Sequence, residues 1–287
     1  MFPECHKAPG RSIADYPNSR GPALLSRLFR KSRPAEPEEP LIGGRPPHLP
    51  ASVRLYAIGD VHGRIDLLTQ IEKMIETDAA AGPANLRRII VYLGDYVDRG
   101  FDSSAVLEHL CGPPLDGFDR VMLLGNHDAW LRDFIDGQTD GQSWMRFGGD
   151  ATLLSYGVRI DFNLKEEQRI AQARQRLAER CPEHHRRLLG NLELAYGLGD
   201  YFFCHAGIRP DVQLDQQTEQ DLIWIREPFL SWRGECGKII VHGHTVEDLP
   251  ALRSNRIGID TGACFTGNLT CLVLEGANYR FLSTHAA

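Results

Sequence analysis

Three times in the first half of the chain, a short apolar run stops on a glycine that is followed at once by a side chain able to hold a cation or a proton. Val53–Ile58 leads into Gly59-Asp60-Val61-His62-Gly63, Arg88–Leu93 into Gly94-Asp95-Tyr96-Val97-Asp98-Arg99-Gly100, and Val121–Leu124 into Gly125-Asn126-His127-Asp128. Between the runs lie stretches of helical periodicity. Arg64–Ala81 carries apolar residues at 65, 67, 68, 71, 74 and 75 and is stopped by Gly82-Pro83, and Ser103–Leu110 is stopped by Gly112-Pro113-Pro114. A helix between two strands returns the chain to the end where it began, so the β-α-β-α-β order predicts parallel strands with helices packed on the sheet. The fold class is therefore α/β, and the glycine-led turns fall together at the carboxyl edge, where open α/β sheets bind ligands.

Strand-like runs resume later at Tyr201–Cys204, Lys238–Val241, Arg256–Ile259 and Leu269–Leu274. Two of them also end in imidazole groups, in His205-Ala206-Gly207 and His242-Gly243-His244. Between about 138 and 195 the pattern changes to a Trp144–Tyr156 stretch containing Gly148-Gly149, then a polar helical segment over Lys165–Arg180. This region reads as a helical insertion lying over one end of the sheet.

Imidazole, carboxylate and an amide oxygen, without thiolate, make a donor set suited to Mn²⁺, Fe²⁺ or Zn²⁺ in a working site rather than to structural zinc. An Asp-x-His pair puts both donors on one side of an extended chain. A carboxylate from the neighbouring strand, Asp95, can bridge two ions about 3.5–4 Å apart, the arrangement that serves phosphate ester chemistry. Each fragment by itself is weak; five of them at strand ends, in this order, point to one site.

Other residues read as structural. His242 lies on a strand and is expected to pack or to support a ligand rather than be one. Alternation turns Cys204 away from His205. His184 and His185, beside Pro182 and two arginines, are expected in a solvated turn, and Trp144, Met145 and Phe147 in the insertion's own core. The seven cysteines are irregularly spaced with no Cys-x-x-Cys pair, which argues against a disulfide framework or a zinc ribbon.

Ten of the 17 prolines fall in the first fifty residues, predicting a disordered tail over 1–50 and a domain over 51–287. Within the tail, apolar residues at 24, 25, 28 and 29 share a helical face opposite basic ones, so residues 23–33 offer weak docking to a membrane or a protein. A net charge of −6 excludes sequence-independent nucleic-acid binding, which needs a basic surface. The start of the chain lacks a basic-then-apolar leader, and no apolar run reaches the roughly 18 residues of a membrane span, so a cytoplasmic protein is expected.

The motifs GDVHG (59–63), GDYVDRG (94–100), GNHD (125–128), HAG (205–207) and GHT (243–245) resemble the metallophosphoesterase signature. The Asp-Arg-Gly element resembles the phosphoprotein phosphatase (Ser/Thr phosphatase) branch, the group of bacteriophage lambda protein phosphatase and its bacterial counterparts. WIREPF (224–229) and IDTGACFTGNLT (259–270) support that likeness, which covers about residues 53–275. The resemblance implies a central β-sandwich flanked by helices and two divalent ions, manganese first, with iron or zinc as alternatives. It implies one ion held by Asp60, His62 and Asp95, and another by Asp95, Asn126, His205 and His244. It further implies His127 as proton donor to the leaving group, Asp98 as its orienting partner, and Arg99 and Arg226 with Asn126 as phosphate binders. The expected reaction is hydrolysis of phosphoserine, phosphothreonine or phosphotyrosine in a phosphoprotein or phosphopeptide.

Two departures bear on substrate. Leu124 stands where many members carry an arginine before Gly-Asn-His, and Val246 where broader relatives carry a further histidine. Bacterial diadenosine tetraphosphatases share the motif set and that leucine, so dinucleoside polyphosphate hydrolysis is the alternative activity. A non-catalytic binding module on the same fold is a third reading; it predicts loss of a metal ligand, and all six ligand positions are filled.

Overall fold

The computed structural model describes residues 38–284. Strand β1 (Val53–Ile58) sends Leu55 and Ala57 to one side and Tyr56 and Ile58 to the other, and both sides are buried. That is why the run is apolar throughout instead of alternating with polar residues. β1 pairs in parallel with β2 (Arg87–Tyr92), which pairs in parallel with β3 (Phe118–Met122). A second sheet has the order β4 (Ala195–Leu198), β5 (Tyr201–Cys204), β6 (Ile239–His242), β8 (Arg256–Gly258) and β7 (Ala251–Arg253). Within it β5, β6 and β8 run parallel. The antiparallel strands β9 (Thr270–Glu275) and β10 (Asn278–Ser283) complete the first sheet.

The inner faces meet in one core, where Leu55, Ala57 and Val91 of the first sheet pack with Phe203, Val241 and Ile257 of the second. Helices α1 (Ile65–Ala81), α2 (Ser103–Cys111) and α3 (Asn126–Ile135) cover the outer face of the first sheet through Leu68, Ile71, Leu107 and Phe134. Burying each such side chain is worth roughly 1.5–3 kcal/mol. The insertion comprises α4 (Gln142–Trp144), a π turn over Met145–Gly149, α5 (Asp150–Ser155), α6 (Glu166–Arg180) and α7 (Glu183–Gly190). Helix α8 (Glu219–Trp224) covers the outer face of the second sheet, and the short α9 (Ala263–Thr266) follows β8. The architecture is the sandwich flanked by helices that the motifs implied. No helix among the described residues is long and apolar enough to cross a membrane.

Several expectations are corrected. Residues 38–50 are not a loose tail: the Leu41 amide donates to the Ser254 carbonyl, Arg45 pairs with Asp200 at 2.6 Å, and Leu49 is buried. Proline density predicts backbone without helix or ladder, and a strap laid across a folded surface satisfies that as well as disorder does. The segment before residue 38, including the amphipathic stretch 23–33, lies outside the described residues. His184 and His185 open α7 after Pro182, and His185 is buried against Tyr156 and Glu108. Trp144 is core as expected, whereas Phe147 is 59% exposed and stacks on Trp130.

Candidate active site

Six parallel strands end at the site, three from each sheet. After β1 come Asp60 and His62, after β2 Asp95, Asp98 and Arg99, and after β3 Asn126 and His127. His205 follows β5, His244 follows β6, and Asp260 follows β8. All of these except the half-buried Arg99 are buried. His62, Asp95, Asp98, Arg99 and His244 adopt positive φ, which L-residues occupy only when their surroundings hold them there. The turns must be tight. A Cβ on Gly243 would run into the Asp60 carboxylate, and one on Gly148, itself at φ +112°, into the Arg99 backbone.

On one side of Asp95 the polar groups gather on Asp98. His127 Nδ1 donates to Asp98 Oδ2 at 2.6 Å. Asp98 also accepts from Trp144 Nε1 at 2.8 Å and from Thr152 Oγ1 at 2.7 Å. Its own amide faces the Ser103 and Thr152 hydroxyls. Burial opposes charge on His127, but Asp95 and Asp98 outweigh it and hold the ring above its ordinary pKa. Arg99 reaches His62 Nε2 at 2.5 Å and His127 Nε2 at 3.0 Å. Asp128 accepts from the amides of Asp95, Tyr96 and Gly125, tying the second turn to the third.

The other side holds opposed acceptors. His205 Nδ1 donates to the Leu93 carbonyl at 3.0 Å and His62 Nδ1 to the Val97 carbonyl at 2.8 Å. A carbonyl only accepts, so each neutral ring carries its lone pair on Nε2. His205 Nε2 then faces Asn126 Oδ1 at 3.0 Å and Asp95 Oδ1 at 3.4 Å, with no proton between them. Burial lowers the His205 pKa, so an imidazolium does not relieve the repulsion. His244, driven down to about 2 chiefly by burial, has an Nε2 without a hydrogen-bond partner among the described residues, and so does Asp260 Oδ2. Burial and the neighbouring carboxylates raise Asp60 well above the usual range and Asp260 to about 6.

Opposed lone pairs and crowded buried acids are what bound cations resolve. The His62–Asp95 and Asp95–His205–His244 donors also lie within 4.8 Å of one another. The residues fit divalent metal ions, with Asp95 between the two groups.

The arrangement thus brings together every site residue expected from the motifs. Arg226 stands at the mouth, its guanidinium on the His244 carbonyl and Thr245 Oγ1, both at 3.1 Å. Leu124 is 2% exposed among Ala129, Cys204 and Leu222, and brings no charge to the site. His242 is packed against Arg256 and Phe229. Sequence reasoning missed Asp260, although the residue after each recognised strand was the signal to read. It also missed Thr152, which comes to Asp98 from the insertion.

A buried acid–imidazole cluster at the carboxyl ends of the parallel strands of two β-sheets, with arginines at its mouth, defines a metal-dependent phosphoesterase. The chain belongs to the calcineurin-like phosphoesterase family, which it matches over residues 53–264. It is 27% identical over 235 residues to "Bis(5'-nucleosyl)-tetraphosphatase PrpE [asymmetrical]" of Bacillus mycoides, covering 75% of this chain and 88% of that protein. It is 25% identical over 229 residues to "Serine/threonine-protein phosphatase 2" of Salmonella typhimurium, covering 75% and 90%. Among solved structures, a putative diadenosine tetraphosphatase superposes with a TM-score of 0.57 at 20% identity, over 82% of this chain and 96% of the other.

Proposed function

We propose that the protein is a phosphomonoesterase that hydrolyses phosphoserine and phosphothreonine in proteins. The observation that carries this reading is the His127–Asp98 pair, buried, 2.6 Å long and clamped by Trp144 and Thr152. A serine or threonine alkoxide is a strong base that leaves only if protonated, and an imidazole held in its charged form supplies that proton. A dinucleoside polyphosphate, whose leaving group is a weakly basic phosphate, needs such a donor far less.

Asp60, His62 and Asp95 would hold one ion, and Asp95, Asn126, His205 and His244 the other. Bound there, such ions would supply Lewis acidity, polarising the phosphoryl group and acidifying a water for in-line attack. Arg99 and Arg226 orient the phosphate oxygens, a task suited to a planar fork of permanent charge. A cation on His62 would take the Nε2 lone pair that Arg99 faces, which would leave the guanidinium for substrate. His127 gives its Nε2 proton to the departing oxygen while Asp98 keeps the ring aligned.

The second reading is asymmetrical dinucleoside tetraphosphatase activity. It is favoured by Leu124, by the name of the Bacillus relative, and by the exposed faces of Phe147, on Trp130, and Phe265, 5.9 Å from the Arg99 guanidinium, where a base could stack. The test is to strip the protein with chelator, restore Mn²⁺, Fe²⁺ or Zn²⁺, and compare kcat/KM on a phosphoserine peptide and on diadenosine tetraphosphate. The peptide is expected to be the better substrate. The reverse order replaces the first reading with the second, and inactivity on both with every ion overturns both.

A further inference from the structure

A second cluster of metal-ligating side chains lies where α2 meets α7, and none of its members belongs to the active site. Glu108 and Cys111 are three residues apart near the end of α2 and so share one of its faces. His184 and His185 open α7, with ring centroids 4.6 Å apart and nearly perpendicular. Glu108 Oε2 lies 2.8 Å from His184 Nε2 and 3.0 Å from His185 Nε2, so both rings aim the same nitrogen at one point. Donor atoms of Cys111, His184 and His185 all lie within 4.8 Å of one another.

Two imidazoles and a thiol lie within reach of one ion, and Glu108, bonded to both rings, stands beside them as a fourth donor; the set has the intermediate softness that suits tetrahedral zinc. Ligand histidines typically engage their other nitrogen with an outer partner, and His185 already does: its Nδ1 is 2.7 Å from the Tyr156 hydroxyl.

We propose that Glu108, Cys111, His184 and His185 form a structural zinc site joining α2 to the helical insertion. The join has a purpose in the fold. Helix α2 begins at Ser103, whose hydroxyl faces the Asp98 amide, while the insertion supplies Thr152 and Trp144 to the same aspartate. Zinc at the far end of α2 fixes the insertion to the helix that shares this duty. The thiolate is the distinguishing ligand, because the proposed catalytic ions are held by nitrogen and oxygen.

Cobalt(II) is therefore the probe. Titrated into the full-length, chelator-stripped protein, it is expected to give a near-ultraviolet thiolate-to-cobalt absorption that is complete by three equivalents per chain, two of them taken by the active site, and is displaced by Zn²⁺. Cys111→Ser and His184→Ala should abolish that band. Both variants should keep wild-type turnover of an aryl phosphate at saturating Mn²⁺, which shows that they fold. In protein whose active site is already saturated with Mn²⁺, zinc at a hundredfold excess over its Kd should raise the Tm of the wild type by roughly a further 5–10 °C, and that increment should be lost in both variants. No thiolate band in the wild-type protein, or a band that survives Cys111→Ser, overturns the proposal.

Discussion

The two sides of the active site, divided at Asp95, are built on opposite principles. On the Asp98 side the carboxylate accepts from His127, Trp144 and Thr152, and these three bonds are short. On the His205–Asn126–His244 side acceptors face acceptors, and His244 Nε2 and Asp260 Oδ2 have no hydrogen-bond partner among the described residues. A satisfied network holds its geometry without help and suits proton transfer, whereas an unsatisfied one is stabilised only when a cation arrives. One half is preorganised; the other is completed by its ligand.

The largest expected effect comes from the residue common to both halves. Asp95→Asn should lower turnover by more than about 10⁴-fold, beyond the usual cost of losing a general acid, with elemental analysis showing both ions depleted. Full metal content in that variant would break the division at Asp95. His244→Ala attacks only the unsatisfied half: one ion per chain should be lost, with turnover down by about 10³-fold or more. His127→Ala attacks only the satisfied half. Turnover of a phosphoserine peptide should fall by about 10²–10⁴-fold while both ions stay, and an aryl phosphate, with its better leaving group, should suffer much less. Equal losses on the two substrates would remove His127 as the proton donor. The smallest effect tests the clamp behind it. Trp144→Phe deletes one hydrogen bond to a buried carboxylate, worth about 1–2 kcal/mol, so kcat should fall roughly tenfold with KM little changed.

Much of the site was legible because strand and turn chemistry is local. An apolar run ending in Gly-Asp or Gly-Asn declares its own turn, and parallel order brings such turns to one edge, so Asp60, His62, Asp95, Asn126, His205 and His244 were predictable from the chain. Asp260 also follows its strand, β8, but it comes directly after Ile259 and lacks the preceding glycine that marks the turns after β1, β2 and β3. Thr152 had no local signal at all. It reaches Asp98 only because α5 packs beside α2, across 54 positions of sequence. The same holds for His184 and His185, whose local context of proline and arginine suggests a solvated turn and whose partner, Glu108, is 76 and 77 positions away.

The proline-rich strap teaches a related point. Composition determined that residues 38–50 have no regular ladder of their own, and it says nothing of whether Asp200 waits for Arg45. Backbone preference and periodicity act over a few residues, so the amino-acid order determined the central strands, the helices that make them parallel and the chemical character of their ends. Which distant side chains complete a hydrogen bond or share a cation depends on the relative placement of packed elements. Only the tertiary structure decided the Asp98 clamp, the opposed lone pairs beside Asn126 and the meeting of α2 with α7.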